Sequence, residues 1–349
     1  MDKTIIITGG NGFIGSHIVR EFKSHGYSPV CLVRPGSDCS ALRDLDVKII
    51  PGDVTDFQSL IKAFEGAGCI IHNAAFASDW GDYDLFYRVN VGGAVNVMKA
   101  CTELGIRRVI LTGTCSVYGE EDYPGVKDEN HGFHSHYPYF LGSLFPCAFN
   151  FYRDTKTLSQ ENVIAMAQEK GVDVTILNPV WVYGEREFHT GFYEFVQNAL
   201  NGMPLAPGSG KNKFHVVYAG DLARAFRIAY EKNLRGINSF IIGSREVDTM
   251  DRIFGLFCRE AGARKPVNAP KWLMYPIGFM LEFFATLLRL KKAPPLTRGR
   301  VNVFYDNIEY STRKAREILG FESTTTLEAG IKKTIAWYKQ NGLLKERAR

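Results

Sequence analysis

An open, doubly wound parallel α/β sheet with a smaller, mostly helical C-terminal substrate-binding part is the fold that this 349-residue sequence predicts. Two observations lead there. Short apolar runs alternate with helical stretches through the first 180 residues, the order that builds a parallel sheet with helices on both faces. The first of those runs ends in a glycine-rich loop that opens directly into a helix.

The first strand is "TIIIT" (4–8), β-branched and continuously apolar, as a strand buried on both faces must be. The segment "GFIGSHIVREFKSHG" (12–26) has helical periodicity and stops at Gly26. Strands follow at 29–33 and 47–50, a helix at 57–67 and a strand at 69–75. A helix over 84–104 leads to strand 108–113, and a helix over about 149–170 leads to strand 173–179. We therefore expect a dinucleotide-binding domain over 1–180 and a substrate-binding part over 181–349, interleaved so that about 213–243 returns to the sheet.

Hydrophobic residues make up 45% and charged residues 23% of the chain, an ordinary soluble composition. The net charge of +5 is mild, and outside one cluster near 289–300 the cations are dispersed, which argues against nucleic-acid binding. Seven cysteines form no C-x-x-C pair, so free thiols in a reducing compartment are expected. The start "MDKTIIITGG" lacks the basic flank and long apolar core of a signal peptide, which points to the cytoplasm.

The loop "TGGNGFIG" (8–15) satisfies G-x-x-G-x-x-G through Gly9, Gly12 and Gly15, and G-x-G-x-x-G through Gly10, Gly12 and Gly15. Glycines are required where a chain turns sharply and its backbone closes on a pyrophosphate seated at a helix N-terminus. Sites for NAD usually carry an acid at the end of the second strand, to hold the ribose 2′-hydroxyl. Here Arg34 stands at that point with Ser37 behind it, a pairing that favours the 2′-phosphate of NADP over NAD; the alternative for Arg34 is to stack on adenine. In "GDVTD" (52–56), Asp53 is placed either to accept from the adenine amino group or to cap the next helix.

A tyrosine four residues ahead of a lysine occurs three times, as Tyr123–Lys127, Tyr152–Lys156 and Tyr310–Lys314. The first encloses Pro124 and Gly125 and is not helical, while the third straddles a helix start at Ser311 or Thr312, far down the chain. Only Tyr152 and Lys156 share one face of a helix that leads into a sheet strand.

With these features the chain resembles the extended short-chain dehydrogenases/reductases of the NAD-dependent epimerase/dehydratase superfamily. The resemblance is carried by "TGGNGFIG", "GDVTD", "NAA" (73–75), "VNVGGAVNV" (89–97), "TGTCSVYG" (112–119), "YRDTK" (152–156), "NPVWVYG" (178–184) and "FHVVYAGDLARA" (214–225), in family order. "LVRPGSD", "PPLTRGRV" (294–301) and the stretch 311–338 are closest to the 3β-hydroxysteroid dehydrogenase and dihydroflavonol reductase-like branch. The fold implied is of Rossmann type. The resemblance implies Tyr152 as general acid/base, Lys156 as the cation that lowers its pKa and holds the nicotinamide ribose, and Thr114 as a hydrogen-bond partner of the reacting oxygen. It also implies that Asn11, Phe13, Ile14, Val54, Ala74, Ala75, Pro179 and Val182 lie along the cofactor. Asn90 is either beside them or a buried structural amide.

Sugar-nucleotide dehydratases of this family carry T-D-E where this chain has Thr114, Cys115 and Ser116, so their additional acids are missing. Epimerases stay open, though no arginine precedes "VVYAGD" here. The segment 272–288 carries one charge, Glu282, and Pro276; a lid over an apolar substrate is favoured there over a membrane span. Arg289, Lys291, Lys292, Arg298 and Arg300 beside it offer weak peripheral contact with anionic lipid through 272–300. The histidines His131, His134 and His136 lack the acid or cysteine partners of a metal site, and no metal is expected. The function expected is alcohol/ketone oxidoreduction on a hydrophobic, hydroxysteroid- or dihydroflavonol-like substrate with NADP or NAD. The alternatives are a nucleotide-sugar epimerase and a non-catalytic dinucleotide sensor. A homodimer is the protein partner to test for.

Overall fold

The computed structural model describes residues 4–188 and 191–344. Seven strands form one sheet: β1 (Thr4–Thr8), β2 (Val30–Val33), β3 (Lys48–Pro51), β4 (Ala67–His72), β5 (Arg108–Thr112), β6 (Asp173–Pro179) and β7 (Ile237–Ile242). All neighbouring pairs are parallel, in the spatial order 3-2-1-4-5-6-7. The order reverses between β1 and β4, and the crevice outside the carboxyl ends of those strands is where such sheets bind ligands.

Alternation along each strand explains the two layers. Ile5, Ile7, Ile71 and Ile110 face the core shared with α1 (Phe13–Ser24), whereas Ile6, Leu32, Ile70 and Val109 face the opposite core. That second core holds α2 (Phe57–Phe64), α3 (Gly93–Glu103) and α4 (Ala148–Lys170). Each fully buried Ile or Leu contributes roughly 1.5–3 kcal/mol, so two-sided burial is what makes the apolar runs into strands. The remaining helices are α5 (Phe192–Leu200), α6 (Ala219–Lys232), α7 (Met250–Ala261), α8 (Lys271–Leu287), α9 (Arg298–Val303) and α10 (Leu327–Gln340). Of these, α6 leads into β7 and joins the first core through Leu222 and Phe226.

The expected helix over 84–104 is interrupted. A single turn, Tyr83–Phe86, passes into a π-helical turn at Tyr87–Gly92 before α3 begins. Asn90 sits in that turn, its Oδ1 accepting from the Phe76 N–H at 2.8 Å and its amide donating to Thr155 Oγ1 at 3.1 Å. Of the two readings of Asn90, the buried structural amide describes these contacts. The fourth strand also ends earlier than expected, at His72. Beyond it the N–H groups of Asn73 and Ala74 both donate to Thr8 Oγ1, at 3.1 and 3.0 Å.

Those two bonds fix the state of His72. With two N–H groups already donating to Thr8 Oγ1, its hydroxyl proton points to His72 Nδ1, 2.9 Å away, so the buried imidazole is neutral. Burial, aided by the charge of Lys156, lowers its pKa from 6.5 to about 3. The unfolded chain therefore binds this proton first, and stability is complete above pH 6.5 and falls as pH drops toward 3. We expect a loss of about 1.4 kcal/mol per pH unit from this residue. Denaturant unfolding at pH 7 and pH 5 should show the slope in the wild type and a flatter one in His72→Gln.

In the C-terminal part, α8 buries only a narrow stripe, Gly278, Glu282 and Ala285, against α9. Glu282 is not a stray charge: its carboxylate takes two hydrogen bonds from the Arg298 guanidinium, at 2.9 and 3.0 Å, and one from the Arg298 N–H. The expected lid is thus corrected. Leu287 and most large residues of α8 face outward, and Phe283 packs on Phe145. The basic cluster is also split, because Arg298 is buried and Arg300 pairs with Asp79 and Glu194. No helix among the described residues is long and apolar enough to cross a membrane.

Candidate active site

The loop between β1 and α1 is tight enough to need its glycines. A Cβ on Gly15 would lie 2.1 Å from the Gly9 carbonyl oxygen, and Gly9 itself has φ +66°. The start of α1 has no side-chain cap, so amides at its first turn are left to face the crevice. That arrangement fits a dinucleotide pyrophosphate, which Gly9, Asn11, Gly12, Phe13, Ile14 and Gly15 would be placed to hold. Arg34 lies exposed just beyond β2 and makes no ion pair among the described residues, while the Ser37 N–H closes a turn onto its carbonyl. Asp53 accepts from the N–H and hydroxyl of Thr55, and the cap of α2 is Asp56 instead. Val54 is buried, Ala74 is tied to Thr8 and Ala75 is exposed. Pro179 ends β6, and Val182 is buried in the short strand Trp181–Tyr183 that follows.

Thr114, Tyr152 and Lys156 come together at the carboxyl end of β5. Thr114 leaves β5 through Gly113, where a Cβ would fall 1.9 Å from Asn178 Oδ1, and the same oxygen accepts the Thr114 N–H at 3.0 Å. The Thr114 hydroxyl is 2.9 Å from Ser116 Oγ and stands close enough to the Tyr152 phenol to temper the rise of its pKa. Lys156, one turn deeper on α4, donates to the Thr112 carbonyl at 2.8 Å. The resemblance gives Lys156 the part of lowering the Tyr152 pKa, and here its ammonium is bonded to the end of β5. Burial pushes the phenol well above its usual value despite Thr114, and the same cause lowers Lys156 to about 8. The ammonium spends a proton on the β5 end rather than on Tyr152.

The other two tyrosines are engaged elsewhere. Lys127 is buried, donates to the carbonyls of Gly119 and Glu121, and lies 5.6 Å from the centre of the Tyr123 ring. Tyr310 is nearer the site than its sequence position suggested, buried against Cys115, with its hydroxyl donating to the Gly119 carbonyl at 2.6 Å. Among the histidines, His136 pairs with Asp154 at 2.8 Å and His131 stands edge-on to Tyr123. No group able to hold a metal occurs among the described residues.

Sequence reasoning missed the support behind Tyr152. Arg153 is buried, donates to Glu120 at 2.8 and 2.5 Å and to the Tyr139 hydroxyl at 2.7 Å, and lies 4.1 Å over the Phe149 ring. Glu120 also accepts from Trp181 Nε1 at 2.9 Å. This pins the segment after Thr114 to α4 beside the tyrosine. Neither residue stands out in the sequence, Glu120 lying in "GEEDY" and Arg153 in "YRDTK".

The comparison that decides the family is the match of residues 5–243 to the NAD dependent epimerase/dehydratase family. The chain belongs to that family. It is an extended short-chain dehydrogenase/reductase, an NAD(P)-dependent enzyme acting on CH–OH groups. It is 28% identical to the 2-alkyl-3-oxoalkanoate reductase of Stenotrophomonas maltophilia (strain K279a), covering 94% of this chain and 97% of that protein. It is 26% identical to sterol demethylase protein B of Methylococcus capsulatus (strain ATCC 33009 / NCIMB 11132 / Bath), covering 98% and 100%. The fold is shared with UDP-glucose 4-epimerase from Thermotoga maritima, solved with UDP-glucose, at a TM-score of 0.76, 22% identity and coverage of 97% and 99%.

Proposed function

We propose that this enzyme interconverts a secondary alcohol and a ketone on a hydrophobic, hydroxysteroid- or dihydroflavonol-like substrate, with NADP preferred over NAD. The observation that carries the reading is that Thr114 and Tyr152 meet at the carboxyl end of β5, with Lys156 one turn below the tyrosine and bonded to the Thr112 carbonyl. When bound, the nicotinamide supplies or accepts the hydride. Tyr152 and Thr114 hold the substrate oxygen between their hydroxyls, and the oxygen that becomes an alkoxide takes the phenolic proton. A phenol with a raised pKa keeps its proton until that charge develops, which suits a general acid. Lys156 orders the end of β5 and holds the nicotinamide ribose. Cys115 and Ser116 follow Thr114 where the dehydratases carry acids, and burial pushes the Cys115 thiol far above its usual range, so neither supplies a second acid/base for dehydration.

Two features support an apolar substrate over a nucleotide sugar. The names of the reductase and sterol-processing relatives describe hydrophobic compounds. Two cations of the C-terminal part that could otherwise meet a substrate's charge, Arg298 and Arg300, are already paired with carboxylates. Purified enzyme with NADPH should reduce 3-ketosteroids or related apolar ketones, and UDP-sugars should give no thermal protection. Protection by UDP-sugars without any ketone reduction would replace this reading with the epimerase.

Arg34 carries the cofactor preference. Its guanidinium is free to pair with a 2′-phosphate, a charged hydrogen bond worth about 1.5–3 kcal/mol. Arg34→Ala should weaken NADPH roughly 10- to 100-fold and NADH by less than about three-fold in fluorescence titrations. Equal weakening of both would make the arginine an adenine stacker.

A further inference from the structure

We propose that α8 is an in-plane docking helix that seats the enzyme on an anionic lipid surface, whatever its substrate. The helix presents Ile277, Met280, Phe284, Leu287 and Leu288 on one outward face, opposite the buried stripe Gly278, Glu282 and Ala285. Leu287 and Leu288 are 65% and 66% exposed, and Trp272 at the start of the helix is 76% exposed. An apolar face of this size, continuous over about three turns, marks an interaction surface. At its end stand Arg289, Lys291 and Lys292, all exposed and none in an ion pair among the described residues. Arg289 closes the helix at φ +51°, a conformation that glycine adopts without strain.

A groove of about 560 Å³ opens at this end, lined by Leu281, Phe284, Leu288 and Pro294 together with Lys291 and Lys292. Apolar and cationic lining together match an acyl chain below an anionic headgroup. A second copy of the chain fits less well. The only acid in 270–296 is Glu282, and it is buried on Arg298, so two such faces would oppose six cations with no counter-charge. Docking also orients the site. Phe140 packs on Phe279 of α8, and Trp80 Nε1 donates to the Leu290 carbonyl at 2.8 Å, joining the helix to the loops that follow β4 and precede α4.

Co-sedimentation of the whole protein with phosphatidylcholine vesicles, and with vesicles containing phosphatidylglycerol, tests the proposal. Wild type should bind the anionic vesicles at least about ten-fold more tightly and lose that margin at high salt. Each cation near such a surface strengthens binding about five-fold, so Arg289→Ala/Lys291→Ala/Lys292→Ala should weaken it about a hundred-fold. Leu287→Ser/Leu288→Ser should weaken binding to both vesicle types, with the circular dichroism and the reduction of a water-soluble ketone unaltered. Brominated lipid should quench Trp272 in the wild type, a reading that needs no variant. Failure to pellet with phosphatidylglycerol vesicles overturns the proposal. So does sedimentation velocity showing a dimer that Leu287→Ser/Leu288→Ser dissolves, which would give this face to a second copy.

Discussion

Tyr152→Phe should lower turnover by about 10²–10⁴-fold while the Kd for NADPH stays within a few-fold of wild type. The phenyl ring keeps its place on α4, so the change removes the transferable proton and little else. Steady-state kinetics together with cofactor titration separate the two quantities. Tyr310→Phe is the informative control, because that tyrosine is also buried near Thr114. Its partner, the Gly119 carbonyl, retains the Lys127 ammonium at 3.0 Å, so turnover should stay within a few-fold. Retention of activity in Tyr152→Phe would remove the general acid from the scheme.

The second large effect is on stability. Glu282→Leu should cost about 3–5 kcal/mol, because it leaves the Arg298 guanidinium charged, 1% exposed and without its carboxylate. Arg298 also donates to the Phe140 carbonyl at 2.5 Å and the Phe145 carbonyl at 2.6 Å, so it cannot swing out to water without releasing the segment before α4. For the same reason Glu282→Leu/Arg298→Met should recover only part of the loss, since the two carbonyls then lack a donor. Urea unfolding measures all three proteins. A cost below about 1 kcal/mol for Glu282→Leu would mean that the pair is open to solvent.

What was legible in the sequence was local. The run 4–8, the loop 8–15 and the Tyr152–Lys156 spacing each report a backbone period or a turn, and the strands, the loop and the shared helical face follow from those periods. What was not legible joins residues that only the fold brings together. Thr8 and His72 are 64 positions apart, Glu120 and Arg153 are 33 apart, and Glu282 and Arg298 are 16 apart. Such pairs leave no periodic trace, so Glu282 looked like a lone charge in an apolar helix and Arg298 like part of a basic surface. The fate of the Lys156 ammonium was hidden for a related reason. Spacing places a side chain on a helix face but does not say which carbonyl at the end of β5 it will reach.

The central claim is net hydride transfer to a substrate carbon, assisted by Tyr152. Incubating the enzyme with NADPH stereospecifically deuterated at the nicotinamide C4 and an apolar ketone tests it most directly, read by mass spectrometry of the alcohol. One deuterium should appear on the carbinol carbon for each NADPH consumed, and none should appear with Tyr152→Phe. Substrate conversion with no deuterium gained and no cofactor consumed, as in an epimerase that returns its hydride, would contradict it.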